Sequence, residues 1–417
     1  VTLKFIAGWP LRVLKNMKRI LFVDDEVQIL ESIRDNLRKL RGLWEMVFVD
    51  SAKAALAELE KKPFDIVVSD MQMPVTDGAT LLGAIREKYP RTVRLILSGQ
   101  ADRDTILRAI PVTHQFLSKP CEPTVLRETL ERVCTLLELV NDDAIRAMLG
   151  ELRALPSLPQ TYIELTDAIR RVGVSRSDIA AIVERDPPLA AKVLQLANSA
   201  FFGTPRQTST VRDAIAYLGV DLLKSLALAA DVFFSLEHAK TGRALADTLQ
   251  QRAVSVARLA KRLAPDPKLA DLAFTTGLLH NLGMMLLALK VPERAQRIVS
   301  TAAETGKPWH VVETVEGGPG YAALGAYLLG AWGLPLELVE AVAYQHFPSD
   351  APQRCALEPL ATIHVAKTLV ESICTGESDP LAGVDKGFAA RAGILEKLPS
   401  YLSIARDDAL CAEGARA

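Results

Sequence analysis

Residues 67–78 read VVSDMQMPVTDG: a short apolar run, an aspartate at 70, and then Pro, Thr, Asp and Gly. An apolar run of this length that ends in turn residues is the pattern of a fully buried strand. Working outward, the same pattern recurs. Strands are predicted at Arg19–Val23, Glu45–Val49, Asp65–Ser69, Arg94–Leu97 and Gln115–Leu117, each rich in Val, Ile, Leu and Phe. Helix-period segments at 27–41, 51–61, 78–88, 102–109 and 123–140 follow the strands in turn. Strand–helix alternation with short connections predicts a five-stranded, doubly wound parallel sheet, whose carboxyl strand ends form the ligand-binding edge.

The residues at those ends carry chemistry. Asp24 and Asp25 close the first strand in KRILFVDDE (18–26), Asp70 closes the third, Ser98 closes the fourth in ILSG (96–99), and Lys119 follows the fifth in FLSKP (116–120). One aspartate at a strand end is usually a solvated loop cap. Three carboxylates converging on one edge repel each other unless a cation joins them. Mg2+ suits such an all-oxygen set. Asp70 is then the natural nucleophile for a phosphoryl group, with Lys119 and the Ser98 hydroxyl neutralising its oxygens.

On these motifs, residues 18–140 resemble a bacterial response-regulator receiver domain. The resemblance implies phosphorylation of Asp70 by a sensor histidine kinase or phosphotransfer protein. It implies Mg2+ held by Asp25, Asp70 and the Gln72 carbonyl, with Asp24 helping through water. It assigns Lys119 to the phosphoryl group, Ser98 and Phe116 to the conformational switch, and Gln72 and Gln100 to the lifetime of the phosphate.

After residue 151 the texture is helical throughout, punctuated by Pro and Gly at Pro187-Pro188, Gly203, Pro205, Pro265, Pro267 and Gly317-Gly318. Helices are predicted at 158–172, 175–184, 187–198, 211–219, 220–237, 243–263, 268–288, 292–305, 309–315, 320–331, 335–345 and 357–374. The fold class is therefore α/β followed by all-α. LPSLPQ (155–160), IVERDPPLAAKVLQLANSAFFG (182–203), GLLHNLGMMLL (277–287), YAALGAYLLGAWGLPLELVEAV (321–342) and IHVAKTL (363–369) are similar in order and spacing to an HDOD domain, a divergent relative of the HD phosphohydrolases. Position by position, the resemblance places the metal-ligand residues of HD enzymes at Arg252, His280-Asn281, His346 and Lys367. Asn281 supplies a neutral oxygen where a carboxylate is needed, and two cations stand where a metal would go. The expectation is a catalytically inactive helical domain without a transition metal, in which His280 is a hydrogen-bonded core histidine. The alternative is a metal-dependent phosphohydrolase or cyclic-dinucleotide phosphodiesterase.

Composition narrows the classes further. The chain has 417 residues and 49 Lys plus Arg against 50 Asp plus Glu, a net charge of −1, so a strongly basic nucleic-acid footprint is absent and DNA binding is not expected. The five cysteines include no C-x-x-C pair, which favours reduced thiols and a cytoplasmic protein. No apolar run is expected to span a membrane, since 274–289 is interrupted by Thr275, Thr276, His280 and Asn281. The expected organisation is an N-terminal arm or annotation overhang (1–17), the receiver (18–135), a helical linker (136–150), the HDOD domain (151–375) and a C-terminal extension (376–417) whose last dozen residues read as a mobile tail. Leu126, Leu130, Val133, Leu137, Val140, Ala144 and Ala147 form a heptad stripe. Its first half packs on the sheet, and its second half either connects the domains or pairs two chains. The downstream signalling partner is not legible, and a homodimer through the receiver face or the linker helix is left open.

Overall fold

Apolar strands buried on both faces build the first domain. In a computed structural model, which describes residues 17–99, 108–109, 112–139, 164–165, 168, 174–198, 208–219, 243–316, 320–352, 357–376 and 378–414, the strands are β1 (Lys18–Val23), β2 (Trp44–Val49), β3 (Ile66–Asp70), β4 (Val93–Ser98) and β5 (Gln115–Ser118). They pair in parallel in the order β2-β1-β3-β4-β5. Register places Val23 beside Ser69 and Asp70 beside Leu97, so the ends of β1, β3 and β4 lie level along one edge. Asp70 is the last residue of β3 itself, one position inside the strand rather than after it.

Helices α1 (Val27–Asn36), α2 (Ala52–Lys61), α3 (Gly78–Lys88) and α4 (Pro123–Leu139) cover the sheet. Ser51 caps α2 by accepting from Ala54 N, and Asp77 caps α3 by accepting from Thr80 N. The first helix is shorter than the predicted 27–41: it ends at Asn36, and a 3-10 turn spans Arg38–Leu40. Leu126, Leu130, Val133 and Leu137 of the heptad stripe are all buried.

The second domain comprises, among the described residues, α5 (Arg176–Val183), α6 (Pro187–Ala197), α7 (Val211–Leu218), α8 (Arg243–Leu263), α9 (Pro267–Leu279), α10 (Leu282–Lys290), α11 (Pro292–Thr305), α12 (Trp309–Glu316), α13 (Tyr321–Ala331), α14 (Leu336–Ala343), α15 (Leu357–Thr375), α16 (Lys386–Arg391) and α17 (Leu398–Gly414). The predicted single helix 268–288 is two helices, broken at His280-Asn281. The His280 carbonyl accepts from Gln345 Nε2 at 3.0 Å, and the His280 ring nitrogen Nδ1 bonds the Gly277 carbonyl at 2.6 Å. A side chain inserted at a main-chain carbonyl is one cause of a helix kink. The stretch Leu269–Lys290 meets the length and composition of a membrane span, contrary to expectation. Its apolar window is 89% buried against protein, the setting of a core helix.

Of the last dozen residues, those through Gly414 belong to α17. It packs on α8 and α15, with Leu398 and Ala405 in a core shared with Val256, Leu259 and Leu369. The extension is thus built into the helical domain. The N-terminal arm through residue 16, Gln100, most of the predicted helix 102–109, linker positions 140–150, most of helix 158–172, the turn 199–203, helix 220–237 and Gly317-Gly318 lie outside the described residues.

Candidate functional site

The strand ends build the first site. Asp24, after β1, and Asp70, ending β3, are both buried. Lys119, after β5, reaches between them: its Nζ stands 2.7 Å from Asp24 Oδ2 and 2.5 Å from Asp70 Oδ1. The remaining carboxylate oxygens are held by backbone, Asp24 Oδ1 by Glu26 N at 3.0 Å and Asp70 Oδ2 by Gln72 N at 2.9 Å. Burial is the largest influence on Asp70 and pushes its carboxyl up. The hydrogen bond and charge of Lys119 oppose that shift without cancelling it, and the neighbouring Asp24 adds to it. Burial alone would lower Lys119, but its bonds to Asp24 and Asp70 raise it.

The loop after Asp70 depends on a glycine. A Cβ on Gly78 would overlap the Asp70 carbonyl oxygen, so the loop 71–77 closes back on its strand only with glycine at the start of α3. Within that loop Val75 has φ +69° and is fully exposed. Ser98 is buried at the end of β4, and its carbonyl accepts from Lys119 N at 2.7 Å. Phe116 is buried in β5. Asp25 and Gln72 are exposed beside the pocket. Of the receiver positions singled out from the sequence, the structure brings Asp24, Asp70 and Lys119 into direct contact and places Asp25, Gln72, Ser98 and Phe116 around them. Among the described residues no three acidic, histidine or cysteine side chains already converge as a closed metal shell. The donor set, carboxylates and a carbonyl at a solvent-facing edge, is of the type that suits a hydrated hard cation.

A second polar cluster lies inside the helical domain. Lys367 of α15, only 3% exposed, donates to Glu371 Oε2 at 2.7 Å, one turn along the same helix. Burial would raise the Glu371 carboxyl, but the charge and hydrogen bond of Lys367 bring it below its ordinary value. Four histidines surround this pair. Burial, reinforced by Lys367, lowers His280 and His310 to about 4 each, His346 well below the ordinary imidazole range, and His364 in the same direction. His310 stacks on His346 with ring centres 4.3 Å apart, and Tyr321 meets His346 edge-on at 5.0 Å. Arg252 of α8 lies over the Trp309 ring at 4.9 Å. Among the described residues, Asn281 Oδ1, Gln345 Oε1 and both His346 ring nitrogens are buried and have no hydrogen-bond partner.

Here His280, Asn281, His346 and Lys367 share one neighbourhood, and Arg252 flanks it through Trp309. Sequence reading missed Glu371, Glu313, Trp309 and the role of His310. Glu371 left one signal: a carboxylate four residues after a lysine on a helix is a pairing position. Glu313, pushed up to about 7 by burial, accepts from Tyr321 N at 2.8 Å and left none.

A model of the response regulator receiver domain matches residues 20–131, and a model of the HDOD domain matches residues 155–348. The chain is 32% identical over 118 residues to chemotaxis protein CheY of Pseudomonas aeruginosa, covering 28% of this chain and 94% of that protein. It is 37% identical over 118 residues to response regulator protein FleR of the same organism, covering 27% of this chain and 24% of FleR. The MmoQ response regulator of Methylococcus capsulatus aligns over 60% of this chain and 98% of its own, with 22% identity and a TM-score of 0.45. The chain spans 24–39% of the length of the first curated relatives it matches.

Proposed function

The chain belongs to the response-regulator family, a receiver domain followed by an HDOD domain, and from that premise we propose that Asp70 is its phosphoacceptor and the helical domain its non-catalytic output. The observation that carries the first part is Lys119 Nζ held between Asp24 and Asp70 at 2.7 and 2.5 Å. A carboxylate oxygen of Asp70 attacks the phosphorus of a phosphohistidine on a kinase or phosphotransfer partner. A P–O bond forms, the P–N bond breaks, and the electron pair returns to the imidazole of the partner. Lys119 exchanges Asp70 for a phosphoryl oxygen, and the Ser98 hydroxyl donates to another. Phe116 turns toward the space that Ser98 vacates. Asp25, Asp70 and the Gln72 carbonyl would hold Mg2+, with Asp24 joined through water. When bound, that ion would neutralise phosphoryl oxygens as charge builds on them.

The helical domain acts by protein–protein contact, in a protein placed in the cytoplasm. The reading is supported by the Lys367–Glu371 pair, which sets an ammonium among the four histidines. A transition metal there would have to displace the buried Lys367 ammonium from its pair with the partly exposed Glu371.

The test of the first part is covalent phosphate on the full chain, incubated with acetyl phosphate and Mg2+ and separated by phosphate-affinity electrophoresis. The wild type is expected to be labelled and Asp70→Asn to be blank; equal labelling of both would sink the assignment. The test of the second part is metal content after expression with Mn, Fe and Zn supplied. Near-stoichiometric transition metal would favour the hydrolase reading and call for a screen of phosphodiesters.

A further inference from the structure

The two domains meet over a buried amine. α4 of the receiver packs on α13 of the helical domain, and Leu136 of α4 fills the space over Gly330, where a Cβ would overlap it. Three residues on, the chain turns at Gly333 with φ +77°, and a Cβ there would stand 3.0 Å from Gln115 Cδ, at the start of β5. Gln195 of α6 crosses the seam. Its Nε2 donates to the His114 carbonyl at 3.2 Å, and its Oε1 accepts from Lys192 Nζ at 2.8 Å. Lys192, one turn earlier on α6, is 4% exposed. Its Nζ also lies 5.9 Å from the centre of the Trp332 ring, the outer edge of the range in which a ring face steadies a cation. Among the described residues no carboxylate pairs with this amine, and burial alone lowers Lys192 to about 7.

The other charges around the seam are accounted for elsewhere. The receiver side offers bases. Arg94 directs its guanidinium to the carbonyls of Val112 and Thr92 at 2.7 and 3.0 Å, and Arg132 of α4 donates to Gln115 Oε1 at 3.1 Å. His114 accepts the Arg94 N–H at Nδ1, 3.0 Å away, so it cannot take a proton there without losing that bond, and burial drives it well below the imidazole range. Glu128 bears on Arg132. Of the α13 tyrosines, Tyr327 bears on Arg94 and Tyr321 meets His346. On the helical side, Asp186 at the start of α6 accepts from Leu189 N at 3.0 Å. α5, α7 and α9 pack on α6, and their described titratable residues, Arg176, Asp178, Arg212, Asp213, Tyr217 and Asp271, are exposed or half-buried.

We propose that the contact between the two domains is proton-linked through Lys192: the seam closes over its free amine, and the amine takes up a proton when the domains part. No other group at the seam has to change charge, and Asp70 plays no part. Separated, Lys192 regains water and the ordinary lysine value of 10.5; docked, it stands at about 7. Between those values the separated form holds a proton that the docked form lacks. Falling pH therefore favours separation, and the effect levels off below pH 7. A step from pH 9 to pH 7.5 multiplies the separated fraction by about 20.

Trace acetylation of the full chain tests this. Acetic anhydride reaches the Lys192 amine when the seam opens, so its labelling relative to the exposed Lys53 reads the separated fraction. Mass spectrometry of the digest is expected to show that ratio about 20-fold lower at pH 9 than at pH 7.5. An unchanged ratio would mean that Lys192 keeps its proton in the docked state, and the inference is overturned. Parting of the domains is told from opening of the helical bundle by Lys367, which is buried outside the seam. Leu136→Ala loosens the seam from the receiver side and should raise labelling of Lys192 by about tenfold or more while Lys367 stays unchanged. Gln115→Ala, which removes a polar contact rather than core packing, should act in the same direction and guards against a folding defect at Leu136. If Lys192 and Lys367 rise together, or Lys192 responds to neither variant, the docked receiver does not cover the amine and the inference is overturned.

Discussion

Lys119 and Lys367 are both lysines held by carboxylates away from bulk water, yet their surroundings differ. Lys119 has a side chain 19% exposed and shares its charge between Asp24 and Asp70, which come from two other strands. Lys367 is 3% exposed and has one partner, Glu371, on its own helix. A cation shared between acids at a solvent-facing edge can trade one of them for an incoming anion at little cost. A cation 3% exposed whose one carboxylate, 32% exposed, stands on its own helix cannot leave it without an ammonium buried and alone. The same residue type thus makes a replaceable contact in one domain and a fixed one in the other.

The sharpest way to break this comparison is to remove the partner of the fixed lysine. Glu371→Ala leaves Lys367 buried without a counter-charge and is expected to cost about 3–5 kcal/mol of unfolding free energy. Urea denaturation of the full chain, followed by circular dichroism, reads it directly. A loss below 1 kcal/mol would mean that Lys367 reaches water or another acid, and that the pair is not the fixture described. Next in size is Lys119→Ala. It removes a cation aimed at charge that builds during transfer, an effect of about 100-fold or more in rate. The initial rate of labelling by acetyl phosphate checks it, with Lys367→Met as the control expected to label at the wild-type rate.

How much of these two sites could be read from the chain follows from where their residues come from. Asp24, Asp70, Ser98 and Lys119 each sit at the end of an apolar run, so predicting the strands also predicts that they share an edge. Asp70 was misplaced by one residue only because its own position belongs to the strand. In the helical domain the lining comes from α8, the α9–α10 break, α12, α13, α15 and the residues after α14, and helix periodicity says nothing about which helices meet. His310, Trp309 and Glu313 therefore left no signal. The break at His280-Asn281 was hidden for the same reason, because the amide that claims the His280 carbonyl belongs to Gln345, 65 residues away.

The histidines around Lys367 give the comparison a pH signature. His280 is a base whose pKa falls from 6.5 unfolded to about 4 folded. Between those values the unfolded chain binds the proton and the folded one does not. Its contribution is full above pH 6.5, declines as pH drops toward 4 and levels below that, with a limit of roughly 3 kcal/mol. Glu313 works in the opposite sense. Its pKa rises from 4.5 to about 7 on folding, so the folded state holds the extra proton and this contribution fades as pH rises from 4.5 to 7. Between pH 4.5 and 6.5 the slope of Glu313 opposes that of His280, to which His310, also lowered to about 4, adds. Glu313→Gln removes the opposing slope, and its loss of stability on acidification should be steeper than that of the wild type in urea midpoints taken from pH 4 to 7. Parallel profiles would show that Glu313 stays ionised in the folded protein.

The smallest expected effect is the most discriminating. Replacing both members of the fixed pair, Lys367→Met together with Glu371→Leu, keeps the volume and removes both charges at once. No group is then left unpaired, and the dehydration cost of the pair disappears with it. Stability should lie between no change and a gain of about 2 kcal/mol, against the large loss in Glu371→Ala alone, and labelling at Asp70 should be unaltered. The difference between the single and double variants measures the cost of stranding Lys367 rather than the worth of the salt bridge. A double variant as unstable as the single would mean that the surrounding histidines, Asn281 and Gln345 depend on the charges of the pair for their own placement. The cluster would then be a working polar site, not an inert plug.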